Sequence, residues 1–204
     1  MIAAIVPAAG MSTRMGRNKL FLTYRSKPLI VHAVDTLLNS DIDQVIVVVG
    51  HEADRVKESL RGKPVTIVMN PEYRVGQSTS IRAGVAALPA EAAAVMIFLA
   101  DQPLLESTDV NRLVCTFTEA ARQGKSIVVP FFRGQRGNPV ILDAGYKDSI
   151  LEVVGDVGCR RVIKRNPDRV LAVEMETDHV VRDVDTLQDY EGLTRPTEEN
   201  QTEP

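Results

Sequence analysis

The chain has 204 residues, enough to bury one substantial core without a second domain. A charged fraction of 25%, a net charge of -3, 4% aromatic residues and no tryptophan argue against a basic surface or a stacking platform for nucleic acid. Two cysteines are too few for a disulfide framework, no apolar run reaches membrane-spanning length, and the first residues lack a secretory signal, so a soluble protein of a reducing, cytoplasmic setting without membrane or nucleic-acid partners is expected.

In chain order, short β-branched runs alternate with helical patterns, the sequence form of a βαβ sheet. A strand is predicted over 3–6, a helix over 28–39, a strand over 44–49, a helix over 53–61, a strand over 65–69 and a helix over 78–88. A strand over 95–99, a helix over 107–123, strands over 126–130 and 140–142, helices over 147–153 and 160–166, and a strand over 180–184 follow. Most of these strands are apolar throughout, as a mostly parallel sheet covered by helices on both faces requires. Pro28 suits a first helical turn, Ser78 and Ser107 suit N-caps, and Gly124 suits the residue after a helix end. One α/β domain over 1–193 is expected, with a disordered polar tail over 194–204 and no internal repeat.

The stretch 5–20, IVPAAGMSTRMGRNKL, places an apolar run directly before a glycine-containing loop that carries Arg14, Arg17 and Lys19. A buried strand opening into a basic loop presents N–H groups and cations to a phosphate, so a nucleotide site is expected there. The spacing of Gly10, Gly16 and Lys19 fits neither the P-loop nor the dinucleotide fingerprint. Asp101 directly follows the strand at 95–99 and reaches the carboxyl edge of the sheet, where open α/β folds bind ligands. A triphosphate is used with Mg2+, which takes one or two carboxylates with phosphate oxygens and water; a turn cap by Asp101 is the structural alternative.

In 181–189, VRDVDTLQD, alternation along a strand puts Asp183 and Asp185 on one face, where they repel unless a cation lies between them. The hydroxyl-rich turn at 75–84, VGQSTSIRAG, offers small side chains and N–H groups to a ribose or a base edge, although helix capping suffices for Ser78 alone. Gly-rich loops with embedded cations follow at 134–140 and 155–161, either as turns or as contacts for a second substrate. His32, His51 and His179 have no partner at ligand spacing, Cys115 reads as a small core residue, and Ser12 lacks the G-x-S-x-G elbow.

The first loop is similar to the signature of nucleotidyltransferases with a Rossmann-like fold, roughly A-A-G-x-S-x-R-M-G-x-x-K, at Ala8, Ala9, Gly10, Ser12, Arg14, Met15, Gly16 and Lys19. With Asp101-Gln102-Pro103 and a D-x-D-T-x-x-D segment from Asp183, the chain to about Leu193 resembles the molybdenum-cofactor nucleotidyltransferases. The resemblance implies a Rossmann-like α/β domain in which Pro7, Ala8, Ala9, Gly10, Arg14, Lys19, Gly76, Gln77, Ser78, Ser80 and Ala100 bind nucleotide. It gives Arg14, Lys19 and Asp101 the catalytic roles and Asp101 and Asp183 the Mg2+, leaving Asp185 and Asp189 to cap the next helix. It assigns Gly137, Asn138, Pro139, Asp156 and Arg160 to the acceptor; the family commonly has histidine at the position of Asn138.

A P-A-A-G loop accompanies CTP enzymes in this family and L-A-G-G accompanies GTP enzymes; Pro7 to Gly10 has the first form. The implied activity is Mg2+-dependent transfer of CMP from CTP to the terminal phosphate of molybdopterin or Mo-molybdopterin, with release of pyrophosphate. Alternatives are the same transfer to another phosphate monoester, such as a sugar phosphate or methylerythritol phosphate, a redox role on this scaffold, or a non-catalytic nucleotide-binding chaperone serving a client molybdoenzyme.

Overall fold

The computed structural model describes residues 1–12, 15–152 and 159–194. It begins with β1 (Ile2–Ala8), a small antiparallel hairpin of β2 (Thr23–Tyr24) and β3 (Lys27–Pro28), and α1 (Leu29–Leu38). Then come β4 (Gln44–Val49), α2 (Ala53–Ser59), β5 (Thr66–Met69), α3 (Gln77–Ala86), β6 (Ala94–Ile97) and α4 (Ser107–Ala120). The chain continues through β7 (Ile127–Phe132), β8 (Gln135–Arg136), β9 (Val140–Asp143), α5 (Lys147–Leu151), α6 (Arg160–Arg165), β10 (Val170–Glu174) and α7 (Leu187–Thr194).

The main sheet runs β10-β7-β9-β6-β1-β4-β5, with β8 paired to β7. Its β6-β1-β4-β5 half is parallel, and β9 is inserted antiparallel between β6 and β7. Alternation along β1 serves two layers. Ala4, Val6 and Ala8 pack with Ile30, Val34 and Leu37 of α1 and Leu113 of α4, whereas Ala3 and Ile5 pack with Ile81 and Val85 of α3. Burial on both faces is why the strands read as unbroken apolar runs.

The structure corrects several expectations. Residues 180–184 form no strand: Asp178–Val181 is a 3-10 turn, and the Val180 carbonyl accepts from the Asn138 N–H and the Gln102 side chain rather than from a ladder partner. The last strand is instead β10, parallel to β7. Ser78 lies inside α3, whose N-cap is Gly76, and Ser107 is the first residue of α4, behind the N-cap Glu106. Cys115 is exposed, because the buried stripe of α4 passes through Val110, Leu113, Val114 and Phe117. The residues at 153–158 and 195–204, on which a helix end, an acceptor loop and the expected tail fall, lie outside the described residues.

Candidate nucleotide and metal site

A cleft of about 490 Å³ opens beyond the carboxyl ends of β1 and β6. On one side the loop after β1 folds back on itself. Ser12 adopts a left-handed conformation, its carbonyl accepts from the Met15 N–H at 3.0 Å, and its hydroxyl accepts from the Lys19 N–H at 3.1 Å. The buried Asn18 then starts a short 3-10 turn, Lys19–Phe21, by accepting from the Leu20 N–H. These bonds aim Lys19 into the cleft. Its ammonium donates to Asp101 at 2.6 Å and to Asp185 at 2.8 Å, with both the Lys19 and Asp101 side chains only 18% exposed.

The segment from Asp183 to Asp185 is pinned beside Asp101 by a backbone bond, from the Val184 N–H to the Asp101 carbonyl at 2.8 Å. Val184 itself is buried among Met15, Leu22, Tyr24 and Leu29. Asp183 and Asp185 flank it and both line the cleft, so they share a side as expected although no strand is present. Asp189 accepts from the N–H groups of Asp185 and Thr186, while the Thr186 hydroxyl accepts from the Asp189 N–H, a reciprocal cap for α7.

The electrostatics follow from this convergence. Burial pulls the Lys19 pKa down, but the Asp101 charge and the hydrogen bonds to Asp101 and Asp185 outweigh it and leave the ammonium above its ordinary value. Asp183 is raised, first by partial burial and then by Asp101 and Asp185, against the opposing pull of its own backbone N–H and of Lys19. Asp101 Oδ1 is buried and has no hydrogen-bond partner. An unsatisfied carboxylate oxygen beside a second raised carboxylate fits a divalent cation. The described residues contain no group of three or more His, Cys, Asp or Glu suited to a metal, so a cation held here would need further ligands beyond these carboxylates.

The opposite wall carries Tyr73, Arg74, Gly76, Gln77 and Ser80. Asn70, buried at the end of β5, donates to the Thr79 hydroxyl at 2.9 Å and the Ser80 hydroxyl at 3.0 Å and accepts from the Glu72 N–H. Gly50 is sterically required: a Cβ there would stand 2.7 Å from the Tyr73 Cβ and 2.8 Å from the Ala9 Cβ. Asn70, Tyr73, Arg74 and the Lys19–Asp185 pair are absent from the sequence reading. The Asn-Pro pair at 70–71 and the glycine closing the β4 run were their available signals.

Of the candidate residues, Pro7, Ala9, Gly10, Lys19, Gly76, Gln77, Ser80, Ala100, Asp101, Arg160 and Asp183 meet in this cleft. Ala8 packs in the core and Ser78 is buried within α3; neither lines the cleft. Gly137, Asn138 and Pro139 do not line it either. The backbone N–H of Gly137 is spent on the Pro130 carbonyl and that of Asn138 on the Val180 carbonyl. Arg14 and Asp156 lie outside the described residues.

At the α6 end, Arg160 lines the cleft and makes no ion pair among the described residues. Arg136 is half-buried, its Nε is buried without a partner, and burial followed by the nearby Arg160 charge lowers its pKa. Neighbouring Cys159 has its thiol pushed up to about 12 by burial, which removes it as a nucleophile at neutral pH.

The profile of the MobA-like NTP transferase domain family matches residues 4–170. The chain is 30% identical over 192 residues to nicotine blue oxidoreductase of Paenarthrobacter nicotinovorans, covering 92% of this chain and 93% of that protein. Its fold is similar to the crystal structure of the Mycobacterium tuberculosis Rv0371c homologue from Mycobacterium sp. strain JC1, with TM-score 0.81, 27% identity and 94% of each chain covered. It is also similar to Rv0371c of Mycobacterium tuberculosis H37Rv, crystallised in complex with manganese, with TM-score 0.77, 25% identity and coverage of 94% and 97%. The architecture is therefore the Rossmann-like nucleotidyltransferase fold.

Proposed function

This chain belongs to the MobA-like NTP transferase domain family, and on that premise we propose that it transfers CMP from CTP to a phosphate monoester of the molybdopterin type, releasing pyrophosphate. The observation that carries the reading is the convergence of Lys19, Asp101, Asp183 and Asp185 at the carboxyl edge, opposite a wall of small and hydroxyl side chains. A lysine on the loop after the first strand, beside carboxylates able to take a metal, suits a triphosphate.

An acceptor phosphate oxygen attacks the α-phosphorus of CTP while the bond to the bridging oxygen of pyrophosphate breaks. Such an acceptor has a second pKa near 6 and is largely dianionic at neutral pH, so the reaction needs no strong general base. Asp101 and Asp183 would hold Mg2+, which supplies charge neutralisation at the phosphates. Lys19, with Arg14 close before it in the sequence, meets the negative charge that grows on the departing pyrophosphate. Ala9 and Gly10 bring backbone close to the nucleotide, and Ser80, held by Asn70, faces the nucleoside. Arg160, with Arg136 beside it, orients the acceptor's phosphate; both guanidiniums lack an acidic partner among the described residues, as an anion receptor requires. A client molybdoenzyme would receive the product.

The test is a pyrophosphate-release assay crossing nucleoside triphosphates with molybdopterin and other phosphate monoesters, repeated on Arg160→Ala. CTP with molybdopterin should give the highest rate, and Arg160→Ala should weaken acceptor use while calorimetric CTP affinity holds. Cytidylylation of a different monoester alone would move the substrate to that class. A second reading, redox chemistry on the same scaffold, is favoured by the likeness to nicotine blue oxidoreductase. It requires electron transfer from a reduced nicotinamide or flavin and no pyrophosphate release.

A further inference from the structure

Lys19 stands where a nucleotide's phosphates and a metal would both make claims. Two of its three ammonium protons are directed at carboxylates, Asp101 at 2.6 Å and Asp185 at 2.8 Å, on side chains largely withdrawn from water. Charge-assisted bonds of this length in a shielded site are among the stronger ones a protein makes. Asp183 lines the same cleft but makes no ion pair with Lys19. A divalent cation approaching the ligand-free protein therefore finds Asp183 open and Asp101 already neutralised on one oxygen by an internal cation. A metal on the open Oδ1 of Asp101 would stand close to the ammonium held on Oδ2, and the two cations repel, so the carboxylate serves the metal well only once the ammonium leaves. A triphosphate gives it somewhere to go, because Lys19 lies on the loop that follows β1 and faces the cleft.

We propose that the Lys19 ammonium is a built-in counter-ion for Asp101, displaced only when a nucleoside triphosphate enters, so that nucleotide binding precedes or accompanies metal binding and free metal alone is refused. Asp185 keeps hold of Lys19 once Asp101 is surrendered. The inference rests on the proposed nucleotide and metal site and adds the order in which that site fills. It also separates the two acidic neighbours, giving Asp183 to the metal and Asp185 to the lysine.

The alternative explanation for poor metal binding is the general repulsion of a cation by a cleft containing positive side chains. Arg160 shares that cleft without contacting Asp101, so it serves as the control. Mn2+ binding is measured by electron paramagnetic resonance with and without CTP, on the wild type, Lys19→Met, Lys19→Arg and Arg160→Met, each first checked for folding by circular dichroism. Wild type should bind Mn2+ at least about tenfold more tightly with CTP present, while Lys19→Met should gain about that factor without CTP. Lys19→Arg, which keeps a charge able to pair, should stay close to wild type, and Arg160→Met should gain little. Wild type that binds Mn2+ equally well without CTP would overturn the proposal, as would an equal gain in Arg160→Met or none in Lys19→Met. If CTP binds but Mn2+ binds to no variant, the metal site itself fails and the binding order falls with it. If CTP does not bind, the nucleotide reading fails first.

Discussion

Asp183 separates a structural from a functional role for the acidic cluster. Its pKa is raised by partial burial and by two carboxylate neighbours, so the folded protein holds its proton more tightly than the unfolded chain. A raised folded pKa contributes stability that is complete below the unfolded value and lost as pH rises through the folded one. At neutral pH the charged Asp183 is therefore a liability to the ligand-free fold. Asp183→Asn should melt at or slightly above the wild-type temperature at pH 7, by scanning fluorimetry, while pyrophosphate release falls to background. A melting point several degrees lower would make Asp183 a structural residue. The loop bearing Lys19 was readable in the sequence because phosphate chemistry dictates glycine, serine and cationic types at close spacing. The partner of Lys19 was not readable: Asp185 lies 166 residues away, and the tertiary contacts that bring it there, the backbone bond from Val184 to Asp101 and the burial of Val184, leave no local pattern. Tyr73 escaped for a related reason, since its place against β4 depends on the missing side chain of Gly50, which local pattern does not reveal.

Among the elements, strands covered on both faces were legible from composition alone, whereas β10 was not, since it lies at the sheet edge with Ala172 and Glu174 exposed. The run at 180–184 looks like a strand by the same criterion, yet its polar backbone groups are taken by Gln102, Asn138 and Asp101. Local pattern cannot register that competition. The seat of α3 on β1 is testable at Gly84, where a Cβ would stand 2.5 Å from Ile5 Cγ2. Ile5 is fully buried and cannot yield easily, so Gly84→Ala should cost about 1–3 kcal/mol through overpacking despite the better helix former. Urea denaturation of Gly84→Ala, Ile5→Ala and the double variant should show a favourable coupling; strict additivity would remove the contact as the cause. Asp35 ties α1 to its surroundings, accepting from Lys27 at 2.8 Å and from Lys63. Partial burial pushes its pKa up, but the hydrogen bonds from both lysines win and hold it below the usual aspartate value. A depressed folded pKa gives stability that is present above the unfolded value and lost as pH falls through the folded one. Asp35→Asn should thus cost about 1 kcal/mol at pH 7, limited by the exposure of Lys27, and the gap to wild type should close in acid. A gap that persists below the folded pKa would mean lost packing rather than lost charge.

For the molecule as a whole, the parallel half of the sheet sets which chemistry can meet. The ends of β1 and β6 deliver the first loop and Asp101 to one cleft, the turn before α3 closes the opposite wall, and α6 brings Arg160 to the far end. A cleft of about 490 Å³ lies within the usual range for small-ligand pockets, and under the proposed function its walls select the base. That room is bounded by the loop from Pro7 to Gly10, in which Ala9 is wedged against the space kept open by Gly50 and Tyr73. Pro7 fixes its own φ at the end of β1, and the Cβ of Ala9 narrows the loop, so the smaller pyrimidine should fit better than a purine. CTP should exceed GTP in kcat/KM by about tenfold or more, the scale a shape-selective pocket supplies. The double change Pro7→Leu with Ala9→Gly should move that ratio toward GTP by loosening the strand end and removing the Cβ. It should do so chiefly through GTP, because the space gained is of no use to a base that already fits. If the wild type prefers GTP, the loop does not select by size and the nucleotide assignment changes while the transferase fold stands. If CTP is preferred but the double variant shifts neither ratio, selection comes from the wall opposite, and Tyr73 and Arg74 become the residues to exchange.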